Sequence, residues 1–225
     1  MSELPKNVRR DIYVDFLFKD FLYLFKSQFT FYKEEYGERM PYTWADNNYQ
    51  QFMIKFLTHL KPRSYQLNEH IFEAGEEVNE QIYVTAGNYQ IGFKIDQKEY
   101  YHIKLRAKSV VGGYENMLNL DSKYYYKATS FVESFSLRKL DMKPLMDDYP
   151  DIRDQILAYF LQFYNLVILQ PMQAFKKEIA VEVCRRQDVP HIFRASDKEI
   201  ADAKKLYKDQ MEKVTQKQVD VVQLT

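Results

Sequence analysis

Apolar residues recur at helical spacing through the first sixty positions of the chain. The stretch from Pro5 to about Phe29 has no glycine or proline after its start, and its apolar residues form a wide stripe. This pattern predicts one long helix that begins at Pro5. After a polar turn at 37–41, a second helix is predicted from a cap at Thr43 to about Leu60.

From residue 70 the pattern changes to short runs rich in β-branched and aromatic residues. The predicted strands are HIF (70–72), QIYVTAG (81–87), YQIGFKI (89–95), EYYHIKL (99–105), SVV (109–111), YYYKATSF (124–131) and SFSLRKL (134–140). Turn-forming residues separate them, and five of the six glycines lie between positions 75 and 113. Many short strands with regular turns are typical of a small antiparallel barrel or jelly roll.

Helical spacing returns after Asp141. The predicted helices are a short one before Pro150, a long one from about Asp151 to Arg186 with an interruption at Pro171, and a polar one from about Ser196 to Lys217. We therefore expect an α+β fold, an antiparallel β jelly roll flanked by N- and C-terminal helices. The expected organisation is a helical linker-like segment over 1–42, the jelly-roll domain with its closing helix over 43–187, and a C-terminal linker and polar helix over 188–225.

Composition narrows the function classes. The 225 residues are 46% hydrophobic, so the chain can bury a core, and its 32 basic and 32 acidic residues give a net charge of zero. Without a long basic run there is no general attraction to nucleic acid, and we expect none to bind. The stretches 12–25 and 158–169 are interrupted by charges or fall short of the roughly 20 apolar residues that a spanning helix needs, so no membrane span is expected.

The sequence shows no catalytic or metal-binding motif. The four histidines have no helical pairing with one another, and no nucleophile–base or phosphate-loop pattern is present. The single cysteine, Cys184, cannot form an internal disulfide, which fits an intracellular, reducing compartment. A non-enzymatic protein is therefore expected.

The order of helix, strands, short helix and long helix resembles the cyclic nucleotide-binding domain family. The segment LKPRSYQLNEHIFEAGEEVNEQIYVTAGNYQIGFKI is similar to the family's opening. The shared marks are Pro62, Ile71, Phe72, Gly75, Ile82, Tyr83, Val84 and Gly87. More closely, VRRDIYVDFLFKDFL followed by TWADNNYQQFMIKFLTHLKPR looks like the cytoplasmic region of ciliate cation channels of the cyclic-nucleotide-gated type. That resemblance implies a regulatory domain at the cytoplasmic face of a membrane or within a large assembly.

The stretch SVVGGYENMLNLDSKYYYKATSF (109–131) lies where that family carries its phosphate-binding cassette. The resemblance implies that Gly112 and Gly113 allow close approach of the backbone to a phosphate. It also implies that Glu115 is the carboxylate for the ribose hydroxyl.

The second half of the cassette departs from the family. When the sequence is anchored on Ala128 and Thr129, Tyr126 stands where the family has its phosphate-binding arginine. Lys123 and Lys127 are the only cations nearby. A lysine could restore the charge but not the forked geometry of a guanidinium, and a tyrosine restores neither.

The missing arginine decides the predicted function. A hydrogen bond to a charged group contributes roughly 1.5–3 kcal/mol, so its loss weakens binding about tenfold to a hundredfold or more. We therefore expect a non-enzymatic regulatory or interaction module with a degenerate site, which binds cAMP or cGMP weakly at best and works as a subunit of a larger assembly. The alternative is a genuine cAMP or cGMP sensor that controls a channel or another effector.

Two segments are predicted to make protein contacts. The first helix carries more apolar surface than one neighbour would cover, including Phe18, Phe21 and Phe25, so its outer face is expected to meet another subunit. Packing on its own domain is the alternative. The C-terminal tail is the second expected contact with a partner.

The segment DVPHIFRAS (188–196) follows the long helix. Some relatives in the voltage-gated potassium channel branch of the family place such a segment in the nucleotide's position. The resemblance implies that Ile192 and Phe193 could fill the cleft near Glu115. A plain linker into the last helix is the alternative.

Overall fold

A computed structural model of the chain describes residues 5–35, 37–95 and 98–187. The chain divides into two units, Met1–Gln173 and Ala174–Thr225, and the fold described below is that of the first. It consists of antiparallel sheets with flanking helices, which confirms the predicted α+β jelly roll. The boundaries predicted at 42/43 and 187/188 stay predictions.

The strands between Lys61 and Arg138 form two four-stranded antiparallel sheets, and a separate hairpin precedes them. The bounds are β1 (Tyr32–Glu35), β2 (Glu38–Pro41), β3 (Lys61–Tyr65), β4 (His70–Phe72), β5 (Glu80–Ala86), β6 (Asn88–Ile95), β7 (Lys98–Arg106), β8 (Ser109–Val111), β9 (Tyr125–Ala128) and β10 (Val132–Arg138). Sheet I has the order β3-β10-β5-β8, and sheet II has the order β4-β9-β6-β7. Strands β1 and β2 form a separate two-stranded sheet.

Two features of the strands differ from the prediction. The polar turn at 37–41 is part of the β1–β2 hairpin, in which Gly37 has a φ of +78° that suits a tight turn. Strand β3 was not among the predicted strands, although Pro62 was counted among the marks of the family's opening segment. Since β3 is an edge strand of sheet I, Pro62 can lie in it without leaving an internal ladder bond unmade.

Most of the helices come before the first strand of the two sheets or after their last strand in the sequence, and one helix lies between β8 and β9. Their bounds are α1 (Lys6–Asp11), α2 (Lys19–Leu24), α3 (Asn47–His59), α4 (Gly113–Leu118), α5 (Lys139–Asp148), α6 (Pro150–Phe163) and α7 (Gln170–Gln187), with π-helical turns at Ile12–Leu17 and Tyr164–Leu169. Three predictions about these helices need correction, concerning the first helix, the start of α3 and the effect of Pro171.

The first helix is not continuous from Pro5 to Phe29. It widens into the π-helical turn, where the Phe18 N–H donates to the Tyr13 carbonyl at 2.9 Å, and it restarts at Lys19. The Phe18 ring stacks parallel to the Tyr13 ring at 6.0 Å.

Helix α3 begins at Asn47 and not at Thr43. The Asp46 carboxylate accepts hydrogen bonds from the Thr43 N–H at 2.7 Å and from the Thr43 hydroxyl at 2.9 Å, so these residues form a turn before the helix.

Pro171 does not interrupt the long helix that follows Tyr149, because the chain stays helical on both sides of it. Because a proline leaves an earlier carbonyl without its donor, the helix widens into the π-helical turn that ends at Leu169.

A hydrophobic core lies between sheet I and the helices, around Tyr83. Its ring contacts four phenylalanine rings at centroid distances of 5.4–6.2 Å: Phe21, Phe25, Phe29 and Phe56. Phe21 is 2% exposed and Phe25 is 0% exposed. Both were expected on the outer face of the first helix, and this orientation is wrong because both side chains fill the core of their own chain.

Candidate functional site

The tight turn before α4 depends on two glycines. Gly112 has a φ of +74°, in the left-handed region where a side chain is strained. A Cβ atom on Gly112 would lie 2.7 Å from Val78 Cγ1 and 2.9 Å from Phe72 Cε2. Gly113 begins α4, and a Cβ atom there would lie 2.6 Å from Phe160 Cε1. The backbone of this turn is therefore tightly packed by neighbouring side chains.

Glu115 and Tyr126 meet in a buried position beside this turn. Glu115, in the first turn of α4, is 2% exposed, and Tyr126, in β9, is 1% exposed. The Tyr126 hydroxyl donates a hydrogen bond to Glu115 Oε1 at 3.3 Å. The structure thus joins the carboxyl that the resemblance assigned to a ribose with the tyrosine that stands in place of the arginine.

The surroundings of Glu115 favour its neutral form. Burial raises the pKa of Glu115 to about 7. A backbone hydrogen bond at Glu115 itself, the hydrogen bond from Tyr126 and the charge of Lys123, in this order, act more weakly in the opposite direction. Five tyrosines interact electrostatically with this carboxyl, and burial raises the pKa of each: Tyr89, Tyr114, Tyr124, Tyr126 and Tyr164. A neutral carboxyl can both accept and donate hydrogen bonds among such hydroxyl groups.

Helix α6 and the π-helical turn after it cover α4. Phe160 is buried against Gly113. The ring of Tyr164 stacks on Tyr114, with centroids 4.0 Å apart and planes 13° from parallel. The Tyr164 hydroxyl is buried and has no hydrogen-bond partner among the described residues. These contacts between α4 and its cover are aromatic and not hydrogen-bonded.

Two of the predicted ligand-binding residues do not join this group. Lys127 lies on the other face of sheet II, where its ammonium group donates to Glu99 Oε2 at 3.2 Å. Thr129 is exposed, and its N–H donates to the Asn88 carbonyl at 2.9 Å. Ala128 is fully buried on the same face of β9 as Tyr126. Of the predicted site residues, Gly112, Gly113, Glu115 and Tyr126 come together.

A buried amide network beside α4 was not predicted. Asn116 Nδ2 donates to the Val78 carbonyl at 3.1 Å, and Asn116 Oδ1 accepts from Gln81 Nε2 at 3.3 Å. The Tyr83 hydroxyl donates to Gln81 Oε1 at 2.9 Å. Alternation along β5 places Gln81 and Tyr83 on one face, which was a usable signal. Asn116 carried no signal of its own.

Three further expectations concern the segment after the long helix, membrane spans and metal sites. The segment 188–196 with Ile192 and Phe193, and the predicted polar helix that follows, lie outside the described residues. Across 5–35, 37–95 and 98–187, no helix has the length and apolarity to cross a membrane. Within the same ranges, no three His, Cys, Asp or Glu residues are placed to hold a metal ion.

A scan of protein families and a search of curated proteins find nothing that matches this chain. Solved structures do match. A candidate cyclic nucleotide-binding protein from Ruegeria pomeroyi shares 19% identity at a TM-score of 0.44, over 55% of this chain and 55% of that chain. A cAMP-binding acyltransferase from Mycobacterium smegmatis shares 11% identity at a TM-score of 0.42, over 54% of this chain and 39% of that chain. The N-terminal domain of a transcriptional regulator from Streptomyces coelicolor shares 15% identity at a TM-score of 0.44, over 53% of this chain and 85% of that chain.

These likenesses concern the fold alone. The matched part spans only about half of the Ruegeria protein, 55% of its length, so the activities of such whole proteins are not carried over to this chain. The resemblance to ciliate channels stays an interpretation of the sequence.

Proposed function

We propose that this chain is a non-enzymatic regulatory or interaction module whose phosphate cassette is closed by its own side chains, and that it works as a subunit of a larger assembly. The observation that supports this most is the buried hydrogen bond from Tyr126 to Glu115. The carboxyl that would accept a ribose hydroxyl is bonded to a residue of the same chain. Phe160 packs on Gly113 in the same way, where a phosphate would approach.

The charges near the cassette support the same proposal. A cyclic phosphate needs a cation or several N–H donors. Tyr126 brings no charge, Lys127 is paired with Glu99 on the other face of the sheet, and Lys123 is exposed. The charge-assisted bonds that an arginine would make are therefore not replaced.

Calorimetric titration with cAMP and with cGMP tests this proposal. We expect no binding tighter than about 100 μM, because the lost bonds weaken affinity by at least about tenfold to a hundredfold. The variant Tyr126→Arg is expected to gain affinity, since it returns a cation beside Glu115. Tyr125→Arg, one residue away and on the opposite face of β9, is the matched control and is expected to gain none.

The second candidate function is a genuine cyclic nucleotide sensor. The left-handed turn at Gly112, directly before α4, favours it, because this turn keeps the backbone shape that close approach of a phosphate would need. Entry of a ligand would require Phe160 and Tyr126 to move. A low-micromolar dissociation constant for the wild-type chain that Glu115→Ala abolishes would establish the sensor and contradict the closed module.

We further propose that the N-terminal segment contacts another subunit, as a linker at the cytoplasmic face of a channel-like assembly would. Large apolar side chains remain exposed there: Phe16 at 83%, Leu17 at 51% and Tyr23 at 76%. Phe16→Asp is therefore expected to leave a folded chain that associates less, as measured by light scattering at high concentration.

The control for this experiment is Leu140→Asp, because Leu140 is also exposed, at 80%, but lies in α5. It is expected to leave association unchanged. A wild-type chain that stays monomeric, and that makes no contact through residues 8–29 in its native complex, would contradict the proposed interface.

A further inference from the structure

We propose that Glu115 and Tyr126 form a proton-controlled latch: the neutral carboxyl keeps α4 packed under α6, and its ionisation loosens that contact. The proposal goes beyond the proposed function and does not depend on whether a nucleotide binds. It begins from the position of Glu115, an acidic side chain that is 2% exposed on a short helix covered by aromatic rings.

The groups that face Glu115 leave an ionised carboxylate poorly compensated. The groups that interact electrostatically with it are Tyr126 from β9, Tyr124 just before β9, Tyr89 from β6, Tyr164 from the π-helical turn, Tyr114 from α4 and the exposed Lys123. A backbone hydrogen bond at Glu115 itself also favours the ionised form, but less strongly than burial opposes it. Burial raises the pKa of each of these tyrosines, so they stay neutral near pH 7. Among these groups only Lys123 is positively charged, and it lies at the surface.

A buried charge with so little compensation costs free energy, whereas a neutral carboxyl in the same place costs little. Burial raises the pKa of Glu115 to about 7, so the conversion falls near neutral pH. An exposed carboxyl ionises near pH 4.5, so between about pH 4.5 and 7 ionisation increasingly favours the open arrangement, in which the carboxylate keeps its bond to Tyr126 and is reached by water or approaches Lys123.

The contacts around Glu115 indicate that α4 separates from α6 more readily than β9 separates from its sheet. On one side, β9 is fixed by ladder hydrogen bonds to β4 and β6. On the other side, α4 meets its cover through the Phe160–Gly113 contact and the Tyr114–Tyr164 stack, which hold no hydrogen bond. Separation of α4 from α6 therefore breaks fewer polar contacts than separation of β9 from its sheet.

Hydrogen–deuterium exchange of the full chain tests the latch. After correction for the intrinsic pH dependence of exchange, peptides covering 113–118 and 156–168 are expected to lose protection by about tenfold per pH unit between about pH 4.5, where an exposed carboxyl ionises, and about pH 7, and to lose no more above it. Peptides from β5 and β10 should keep their protection. Equal protection of the α4 and α6 peptides at pH 5 and pH 8 would overturn the proposal.

Two variants show whether Glu115 is responsible. Glu115→Gln keeps the shape but cannot ionise, so its exchange protection should not change with pH. Glu133→Gln is the matched control, because Glu133 is exposed and lies on β10, and it should behave like the wild-type chain. A pH-dependent loss of protection that persists in Glu115→Gln would overturn the proposal.

Tyr126→Phe gives a directional test that is independent of how well Glu115→Gln folds. The Tyr126 hydroxyl favours the ionised carboxyl, so its removal should move the upper limit of the pH range of opening to higher pH. The carboxyl carbon of Glu115 in ¹³C-glutamate-labelled wild-type protein should titrate near this upper limit, where protection stops changing. A Glu115 carbon that titrates near pH 4.5, or an upper limit that does not rise in Tyr126→Phe, would contradict the latch.

Discussion

Two buried tyrosines, Tyr83 and Tyr126, lie in opposite chemical surroundings. Each is at most 2% exposed, and each donates one hydrogen bond from its hydroxyl. Tyr83 donates to the neutral amide of Gln81 at 2.9 Å, whereas Tyr126 donates to the carboxyl of Glu115 at 3.3 Å. The first bond joins groups that do not change charge near neutral pH, and the second joins a hydroxyl to a group that does.

The two regions of this aromatic-rich fold therefore differ in how far their stability depends on pH. The helices and sheet I meet around Tyr83 through phenylalanine rings, which gain from area burial and edge-to-face geometry and are insensitive to pH. The contact of α4 with α6 is aromatic too, but it has a titratable carboxyl behind it. We therefore expect substitutions at the two regions to differ in size and in pH dependence.

The largest expected effect is at the helix-side core. Phe25→Ala should lower the free energy of unfolding by about 3–5 kcal/mol, because it removes a fully buried ring and leaves a cavity beside Tyr83. Tyr23→Ala, two residues away and 76% exposed, is the control and should change stability by no more than about 0.5 kcal/mol. Denaturant unfolding measures both. Equal effects would show that the first helix does not pack as described.

The next effect is a loss of stability as the pH rises. The pKa of Glu115 is about 7 in the folded chain against 4.5 for the free side chain. Below about pH 4.5 the carboxyl is protonated in both states, and its contribution is fully present. Between about 4.5 and 7 the unfolded state releases its proton first, so stability falls by up to about 3 kcal/mol, and above 7 it changes no further.

The difference between the wild-type and Glu115→Gln unfolding curves isolates this contribution. Carboxylates whose pKa is lowered by ion pairs, such as Asp46 and Asp141, change stability in the opposite direction, but they are shared by both proteins. A difference that stays constant from pH 4 to 8 would show that folding does not shift the pKa of Glu115.

Much of the fold could be predicted because its signals are local. Strands β4 to β10 follow alternation and turn chemistry, which depend on neighbouring residues. The break at Phe18 could not be predicted, because it depends on contacts with the distant Phe135 as well as with Tyr13. Strand β3 was missed for the same reason, since its partner is β10 and not a neighbour in sequence.

The candidate site could be predicted only in part. Gly112 and Gly113 were visible as a turn signal, whereas Glu115 was assigned only through the resemblance to the cyclic nucleotide-binding domain family. The orientation of Lys127 follows from alternation in β9, but its partner Glu99 is brought close by pairing of three strands. The stack of Tyr114 on Tyr164 depends on the path of α6, which sequence spacing does not specify.

The smallest expected effect is the loss of stability when the hydroxyl group of Tyr83 or of Tyr126 is removed. Tyr83→Phe and Tyr126→Phe each remove one hydroxyl from a buried site and should each cost about 1 kcal/mol. The cost of Tyr83→Phe should be the same at pH 5 and pH 8, because the Gln81 amide does not titrate. The cost of Tyr126→Phe should be larger at pH 8, because a hydrogen bond to a carboxylate is stronger than one to a neutral carboxyl.

Denaturant unfolding of the two variants and the wild-type chain at both pH values measures the four costs. A Tyr126→Phe cost that does not increase with pH would mean that the bond to Glu115 does not respond to its ionisation. A Tyr83→Phe cost that does increase with pH would mean that the helix-side core also depends on a titrating group. The two regions differ as described only if the increase appears at Tyr126 alone, because the hydroxyl removed is the same and only its acceptor differs.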